Sequence, residues 1–331
     1  MERTEYHREL LINRLSKRFK HLKKWASRTG TNAFRLYDRD IPEIPLVLDI
    51  YDDAISGAYY RYTEQTEESP GEKTESWLLA MKEAISEVLK IKEDNIFLKE
   101  RFRMRGRQDT GIQYGKLSTR SFYRDVSEGD LKFRVNLSDY LDTGLFLDAR
   151  KKRAMIRSMA AGKRVLNLFA YTCSLSLAAA KGGALELDSV DLSATYLDWG
   201  KINFALNKLD VKSGFNFIQS DVIDFLEKAE RKKLVWDLII LDPPSFSNSK
   251  KMRGALDLKR DYLKLLSSCL ALLGPGGTLV FSSNSGGFKI GEEESKKAAF
   301  NNVIVKELTD ELVDEDFLRR KVPVCYTIKR Q

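Results

Sequence analysis

The second half of the chain alternates short apolar runs with segments of helical spacing. The helical segments are about a dozen residues long and include ATYLDWGKINFALNKL and DVIDFLEKAE. Strands that are apolar along their whole length are typical of parallel sheets that are buried on both faces. The pattern therefore predicts a doubly wound α/β sheet. Its predicted strands are RVLNLF (164–169), LDSVDL (187–192), FNFI (215–218), DLIILD (237–242) and TLVFSS (278–283).

The first half of the chain predicts a helix followed by a small α+β module. The helix is amphipathic, ends near Gly30, and has apolar residues at helical spacing: Leu11, Leu15, Leu22 and Trp25. Residues 33–62 are extended and rich in aromatic residues, which is typical of an antiparallel sheet. A second helix has Trp77, Met81, Ile85 and Val88 along one side. We therefore predict three parts: a basic helix (1–30), an α+β module (31–130) and the α/β domain (131–331).

The composition excludes several classes of protein. An apolar content of 43% is normal for a globular chain, and no apolar run is long enough to cross a bilayer. The charged start MERTEYHREL does not resemble a signal peptide, so we expect a cytoplasmic protein without a membrane partner. The three cysteines are far apart in the sequence and both histidines, His7 and His21, precede residue 30. We therefore expect no disulfide framework, no Ser-His-Asp triad and no metal site.

The distribution of positive charge indicates a polyanionic partner. The formal net charge is +8, and residues 1–30 contain nine Lys or Arg against three Glu. A second cluster, KERFRMRGR (99–107), contains four arginines and a lysine. One basic cluster is equally well explained as a solvated helix face, but two clusters favour RNA or DNA. The predicted RNA-binding residues in these clusters are Arg14, Lys17, Lys23, Lys24, Arg103, Arg105 and Arg107.

The predicted strand ends suit an adenosine cofactor without phosphates. Ligands of doubly wound sheets bind beyond the carboxyl ends of the strands. The loop NLFAYTCS has small residues that allow a ligand to approach its backbone, and it lacks the G-x-G-x-x-G fingerprint of NAD sites. Asp191 is placed to bind ribose hydroxyls, and Asp221 either receives the adenine amino group or caps the next helix. S-adenosylmethionine fits, with predicted contacts from Asn167, Phe169, Tyr171, Thr172, Asp191, Leu192, Asp221, Val222 and Asp242.

The fourth predicted strand runs directly into LDPPSFSNSKKM (241–252). DPPSF resembles the [DN]-P-P-[aromatic] signature of amino-group and ring-nitrogen methyltransferases, widened by one residue. The prolines stiffen the backbone so that its carbonyls point into a pocket, and Phe246 is placed to stack on a flipped base. The predicted catalytic residues are Asp242, Pro243, Pro244 and Phe246. Lys250 and Lys251 are predicted to contact RNA phosphates, with a solvated loop as the alternative.

Across its whole length the chain resembles the C-terminal half of the bifunctional bacterial 23S rRNA methyltransferase, the half that makes 7-methylguanosine. The matching stretches occur in order from residue 13 to residue 252: NRLSKRFKHLKKWA, FRLYDRDIPE, VNLSDYLDTGLFLDAR, LNLFAYT, VDLSATYLDWGKINFALN and LDPPSFSNSKKM. The resemblance implies a Rossmann-like class I methyltransferase fold, with an antiparallel strand in VPVCYTI, and a substrate that is 23S rRNA or a pre-50S particle. The half that makes 2-methylguanosine has no counterpart here, which suggests a freestanding version. Cys173 stands where relatives tend to have glycine.

The residue inventory favours guanine N7 as the methyl acceptor. Methylation of a pyrimidine at carbon-5 needs a nucleophilic thiolate, and VFSSNSGGFK has no cysteine, while Cys269 is expected to be buried in a helix. Guanine N7 has an in-plane lone pair and no proton to lose, so positioning suffices. Asn248 or Asn284 is a candidate to assist. An exocyclic amine as acceptor and a non-catalytic RNA-binding or assembly factor remain alternatives.

Asp148 and Arg150 lie just before the first predicted strand of the α/β domain. A carboxylate and a guanidinium suit the amino and carboxylate groups of a methionine moiety, so we predict that this pair holds that end of the cofactor. An ordinary surface ion pair at the start of the following helix explains the same residues equally well.

Overall fold

The structure is a computed structural model that describes residues 3–62, 75–103, 118–209, 214–248, 254–285, 287–290, 303–318 and 320–330. The chain divides into two compact units, residues 1–147 and 148–331. None of the helices in the described residues has the length and apolar content that a bilayer span requires.

The first unit is built on a four-stranded sheet with the order β1-β2-β3-β4. Its strands are β1 (Ala33–Asp38), β2 (Leu46–Tyr51), β3 (Ala54–Tyr62) and β4 (Ile96–Arg103), and its helices are α1 (Arg3–Thr29) and α2 (Glu75–Leu89). β1, β2 and β3 pair antiparallel, which confirms the antiparallel sheet predicted for residues 33–62. β4 pairs parallel with β3, and the crossover between them contains α2.

Helix α1 shares a hydrophobic core with this sheet. Its predicted apolar stripe is buried, and the helix packs against α2 and β1. Gly30, with φ of +67°, ends the helix as predicted, because glycine adopts the left-handed conformation without a steric cost. The predicted division after residue 30 therefore cuts through one core, because the helix buries its apolar face only by packing on the sheet.

A hairpin follows, formed by β5 (Tyr123–Glu128) and β6 (Leu131–Asn136). The division predicted between residues 130 and 131 falls at its turn, so the antiparallel pairing of the two strands crosses that division. The hairpin is tied to the end of α1 by a hydrogen bond of 3.2 Å from the Gly129 amide to the Gly30 carbonyl. The two compact units separate later, between Leu147 and Asp148.

The second unit contains a seven-stranded sheet with the order β14-β15-β13-β10-β7-β8-β9. Its strands are β7 (Arg164–Leu168), β8 (Glu186–Asp191), β9 (Phe215–Gln219), β10 (Trp236–Leu241), β13 (Leu273–Ser283), β14 (Val303–Glu307) and β15 (Val324–Arg330). Five strands pair parallel with one another: β13, β10, β7, β8 and β9. β15 pairs antiparallel with both β13 and β14. Both the parallel strands and the antiparallel strand in VPVCYTI are confirmed.

Both faces of this sheet are covered. The helices are α3 (Arg150–Met159), α4 (Ser174–Lys181), α5 (Ala194–Leu206), α6 (Val222–Arg231) and α7 (Leu258–Ala271). On β10, Ile239 and Leu241 join a core that includes residues of α6 and α7. Leu238 and Ile240 point to the opposite face and are equally buried. This explains why residues 238–241 of the strand are all apolar.

The order of the sheet reverses between β7 and β10, and four strands end there in register. Leu168 pairs with Val190 on one side and with Leu241 on the other, and Leu241 pairs with Phe281. The next residues along each strand therefore lie side by side at the carboxyl edge of the sheet: Phe169, Asp191, Asp242 and Ser282. This edge is where a doubly wound sheet binds its ligand.

Candidate active site

The loop after β7 has an alternating left-handed backbone. Phe169, Tyr171 and Cys173 have φ values of 55°, 50° and 59°. The predicted strand included Phe169, but β7 ends at Leu168 because Phe169 already turns the chain. Each non-glycine residue in this conformation costs about 1 kcal/mol or more. Two hydrogen bonds hold the loop, from the Ala170 amide to the Val190 carbonyl (3.0 Å) and from the Tyr171 amide to Asp191 (2.8 Å).

Cys173 is packed into the interior beneath this loop. Its side chain is fully buried, and a Cβ atom added to Gly200 of α5 would lie 2.6 Å from the Cys173 Sγ. Gly200 therefore makes room for the thiol. Burial raises the pKa of the Cys173 thiol, which keeps it neutral. Cys269 is likewise fully buried in α7, as expected for a structural cysteine.

Asp191 ends β8 and connects two loops of the site. Its Oδ2 accepts a hydrogen bond from the Tyr171 amide (2.8 Å), and its Oδ1 accepts one from the Ser193 amide (2.9 Å). Burial raises the pKa of Asp191, and these hydrogen bonds oppose that effect. A carboxylate has about four acceptor positions, so Asp191 can still accept a hydrogen bond from a hydroxyl donor. The ring of Tyr171 meets that of Tyr196 at the same edge, with 4.5 Å between centroids. These groups fit the ribose and adenine of an adenosine cofactor.

Several other predicted cofactor contacts have structural roles. Asp221 caps α6, because its Oδ1 accepts a hydrogen bond from the Ile223 amide at 2.8 Å; this is the capping role weighed for it. The side chain of Val222 lies in the core, and the carbonyl of buried Thr172 accepts a hydrogen bond from Asn203 (3.0 Å). Leu192 follows Asp191, and its carbonyl accepts a hydrogen bond from Gln219. Their contacts with the cofactor remain predictions.

Asn167 belongs to a buried polar network below the loop. Its Nδ2 donates to the Ser176 Oγ at 2.8 Å, and the Ser189 Oγ lies 2.8 Å from the same oxygen. The Asn167 Oδ1 is buried and has no hydrogen-bond partner in the described part of the chain. The network ties β7, β8 and α4 together directly under the left-handed loop.

Asp242, at the end of β10, is held by two side chains. Its Oδ2 lies 2.8 Å from the Nζ of Lys152, and its Oδ1 accepts a hydrogen bond of 2.5 Å from the Ser282 Oγ. Lys152 Nζ also donates to the Ser282 Oγ at 2.8 Å, so that each of the three side chains is hydrogen-bonded to the other two. Burial raises the pKa of Asp242, but the charge of Lys152 and the hydrogen bonds from Lys152 and Ser282 together hold it below its ordinary value.

The double-proline corner that follows Asp242 is fixed against α7. Pro243 is buried, and Pro244 and Phe246 are half-buried. The short strands β11 (Phe246–Ser247) and β12 (Leu256–Asp257) pair antiparallel, and the Leu258 amide donates to the Ser245 carbonyl at 3.1 Å. Asn248 and Asn284 are both exposed. Lys250 and Lys251 lie outside the described residues.

Arg150 has carboxylate partners that the sequence did not suggest. Its Nη1 lies 2.9 Å from carboxylate oxygens of both Asp314 and Asp316, and its side chain is 9% exposed. The ion pairs of Arg150 with Asp314 and Asp316 are therefore largely buried. The alternative considered for Arg150 was an ion pair on the surface. Asp148 lines a small cavity of about 20 Å³ together with Lys152, Ser282 and Cys325. The role of Asp148 and Arg150 at the methionine end remains a prediction.

The predicted RNA-binding residues differ in their surroundings. Lys17, Lys23 and Lys24 are exposed on α1, while Arg14 is paired with Asp40 at 2.6 Å. In the second cluster, Lys99 donates to the Tyr140 carbonyl and Arg101 pairs with Asp142 at 2.9 Å, both inside the first unit. Burial lowers the pKa of Lys99 to about 8. Arg103 ends β4, and Arg105 and Arg107 lie outside the described residues.

The sequence did not identify Lys152 and Ser282 as residues of the site. Lys152 lies in the run RKKR (150–153), which is typical of a solvated helix face, yet it is only 6% exposed. The available signal was Asp242 itself, because a carboxylate that ends an apolar strand needs a counter-charge. Ser282 ends a strand beside it, and only the sheet order brings the two together.

The reversal of strand order, the antiparallel strand β15 and the acidic strand ends define a class I S-adenosylmethionine-dependent methyltransferase. The family model for S-adenosylmethionine-dependent methyltransferases matches residues 95–314, and the chain belongs to this family. The predicted fold, enzyme class and cofactor are confirmed.

Within this family, the chain is similar to methyltransferases that are named for the RNA of the large ribosomal subunit. Ribosomal RNA large subunit methyltransferase K of Neisseria meningitidis is 43% identical over 96% of this chain and 86% of its own length. Ribosomal RNA large subunit methyltransferase K/L of Pseudomonas fluorescens is 41% identical over 94% of this chain, which spans 39% of that longer protein. The predicted family resemblance is confirmed. A crystal structure described as a methyltransferase complexed with SAH has the same fold, with a TM-score of 0.74 at 24% identity, and the match covers 97% of this chain and 81% of that one.

Replacement of Asp191 by asparagine is expected to weaken cofactor binding about 10- to 100-fold, because a hydrogen bond to a charged group contributes about 1.5–3 kcal/mol. The isosteric amide keeps one acceptor oxygen but loses the charge. Calorimetric titration with S-adenosylmethionine measures the change. Asp198→Asn, on the exposed side of α5, is the matched control and should bind as the unmodified protein does. Equal affinity in both variants would contradict the role of Asp191.

Proposed function

We propose that this methyltransferase acts on the 23S rRNA of the large ribosomal subunit, as free RNA or in a pre-50S particle, and methylates a guanine at N7. The rRNA substrate is supported by the names of the relatives. The choice of N7 rests on one observation, the contact of Asp242 with Lys152 and Ser282.

The state of Asp242 favours an acceptor that has no proton to lose. S-adenosylmethionine supplies a methyl group activated by a sulfonium; the bond from N7 to carbon forms as the carbon–sulfur bond breaks, with its electron pair left on sulfur. No proton has to leave N7. A carboxylate whose pKa is held low is a weak base, but it remains a good hydrogen-bond acceptor. Asp242 is therefore suited to orient a guanine through its N–H groups rather than to remove a proton.

Phe246 and the proline carbonyls would complete the base site. A half-buried aromatic ring at a fixed corner offers a face for a flipped base. Four lysines are exposed on α1 and suit phosphates: Lys17, Lys20, Lys23 and Lys24. All of them except Lys20 are predicted RNA-binding residues. Arg103, Arg105, Arg107, Lys250 and Lys251 are proposed to add to this RNA contact.

An exocyclic amine is the second candidate acceptor, since a carboxylate acceptor at the site also suits an N–H donor. Nucleoside mass spectrometry of 23S rRNA, from cells with and without the gene, combined with chain cleavage specific for 7-methylguanosine, separates the two. We expect one cleavage site that depends on the gene. A gene-dependent methyl group on an amine would overturn the N7 assignment, and unchanged rRNA would overturn the substrate.

A further inference from the structure

Lys152 is a buried cation whose ammonium group is directed at the carboxylate of the double-proline corner. It comes from α3, which precedes the sheet, and its side chain is 7% exposed while that of Asp242 is 29% exposed. Its Nζ reaches both Asp242 and Ser282 at 2.8 Å. Both contacts are made at the carboxyl edge of the sheet, where the family binds its ligands.

Three elements bring polar or titratable groups to this carboxylate. Lys152 comes from α3, Ser282 from β13 and Cys325 from β15. Burial raises the pKa of the Cys325 thiol to about 11, so it is neutral near pH 7. Asp148 lines the same small cavity and adds a second carboxylate near Lys152. Among these groups, Lys152 is the only one that brings positive charge to Asp242.

Burial and the lysine act on Asp242 in opposite directions. Burial favours the neutral acid, and the adjacent ammonium favours the carboxylate. Loss of the ammonium would leave burial opposed only by the Ser282 hydrogen bond, and the balance would shift toward the acid. The protonated form presents an O–H donor where the ionised form presents two acceptors. A base edge with N–H groups can be bound only by the ionised form at that oxygen.

We propose that Lys152 is a positioning residue for methyl transfer, which acts with Ser282 to keep Asp242 ionised and fixed in rotation so that its remaining lone pairs face the nucleobase. The inference rests on the proposed function, because it assumes that Asp242 contacts the base. A purely structural Lys152 would stabilise the fold but would leave the pH dependence of transfer unchanged.

The first experiment follows methyl transfer to 23S rRNA as a function of pH in Lys152→Met. The expected result is a fall in kcat of about 100-fold at about pH 6 that becomes smaller toward pH 9, because Asp242 regains its charge as the pH rises. The matched control is Lys151→Met, on the adjacent exposed position of α3, which should follow the unmodified enzyme. Equal pH profiles for the two variants would overturn the proposal.

The second experiment does not need transfer. Carbon-13 labelling of aspartate carboxylates, with Asp242→Asn to assign the signal, reports the titration of Asp242 by NMR. The unmodified protein should titrate below the ordinary aspartate range, and Lys152→Met should titrate above it. The same titration in both would overturn the proposal. If the unmodified enzyme transfers no methyl to 23S rRNA, the proposed function fails, while this titration still decides whether Lys152 controls the charge of Asp242.

Discussion

Gly182→Ala is expected to lower the free energy of unfolding by about 3 kcal/mol or more, at the upper end of overpacking effects. Gly182 follows α4, where a Cβ atom would lie 2.1 Å from the carbonyl oxygen of Arg157 in α3. The atom in the way belongs to the backbone, so no side chain can rotate to relieve the clash. The two helices would have to separate.

The displacement should also affect the site, because α3 carries Lys152. The measurement is the denaturant midpoint of Gly182→Ala, with Gly254→Ala as the control, since a Cβ at residue 254 meets no atom within 4 Å. We expect a clear drop in the midpoint for Gly182→Ala and almost none for Gly254→Ala. Equal midpoints would show that α3 and α4 do not approach as closely as the structure has them.

The sheet of the second unit was predictable from the sequence because short, mostly apolar runs alternate with helical segments, and its central strand is buried on both faces. β10 reads WDLIIL, and burial on both sides leaves no room for alternation. The location of Asp191 and Asp242 at the carboxyl edge of the sheet could also be predicted, because each lies at the carboxyl end of a predicted strand. What the sequence could not show was which strand ends are neighbours, and hence that Ser282 lies beside Asp242.

The missed features depend on contacts between distant parts of the chain. Arg150 pairs with Asp316, 166 residues away, and no local pattern links them. Lys152 is embedded in a basic run, and sequence does not tell a buried lysine from an exposed one. The left-handed Phe169 and Tyr171 were also unpredictable, because large aromatic residues rarely adopt that conformation. The predicted domain boundary after residue 130 falls inside a hairpin, because the pairing of β5 with β6 was not visible in the sequence.

If Asp242 contacts the reacting base as proposed, Asp242→Ala is expected to reduce kcat for methyl transfer by about 100-fold or more, because a preorganised polar group is lost. It should also lower the free energy of unfolding by roughly 2–3 kcal/mol, because Lys152 is left buried without its carboxylate. The control is Asp237→Asn, at the opposite end of the same strand, where the carboxylate accepts a hydrogen bond from the Arg164 amide. It should change neither quantity substantially.

The double variant Lys152→Met with Asp242→Ala separates the two effects. It removes both charges, so most of the lost stability should return, as with other buried ion pairs replaced by apolar residues. Transfer should remain as slow as in Asp242→Ala. The folded pKa of Asp242 lies below its unfolded value, so the pair stabilises the fold at pH values above the unfolded pKa and loses this effect as the pH falls through the folded one. Unfolding near neutral pH therefore measures the full contribution, and recovery of both stability and transfer in the double variant would contradict a catalytic role for Asp242.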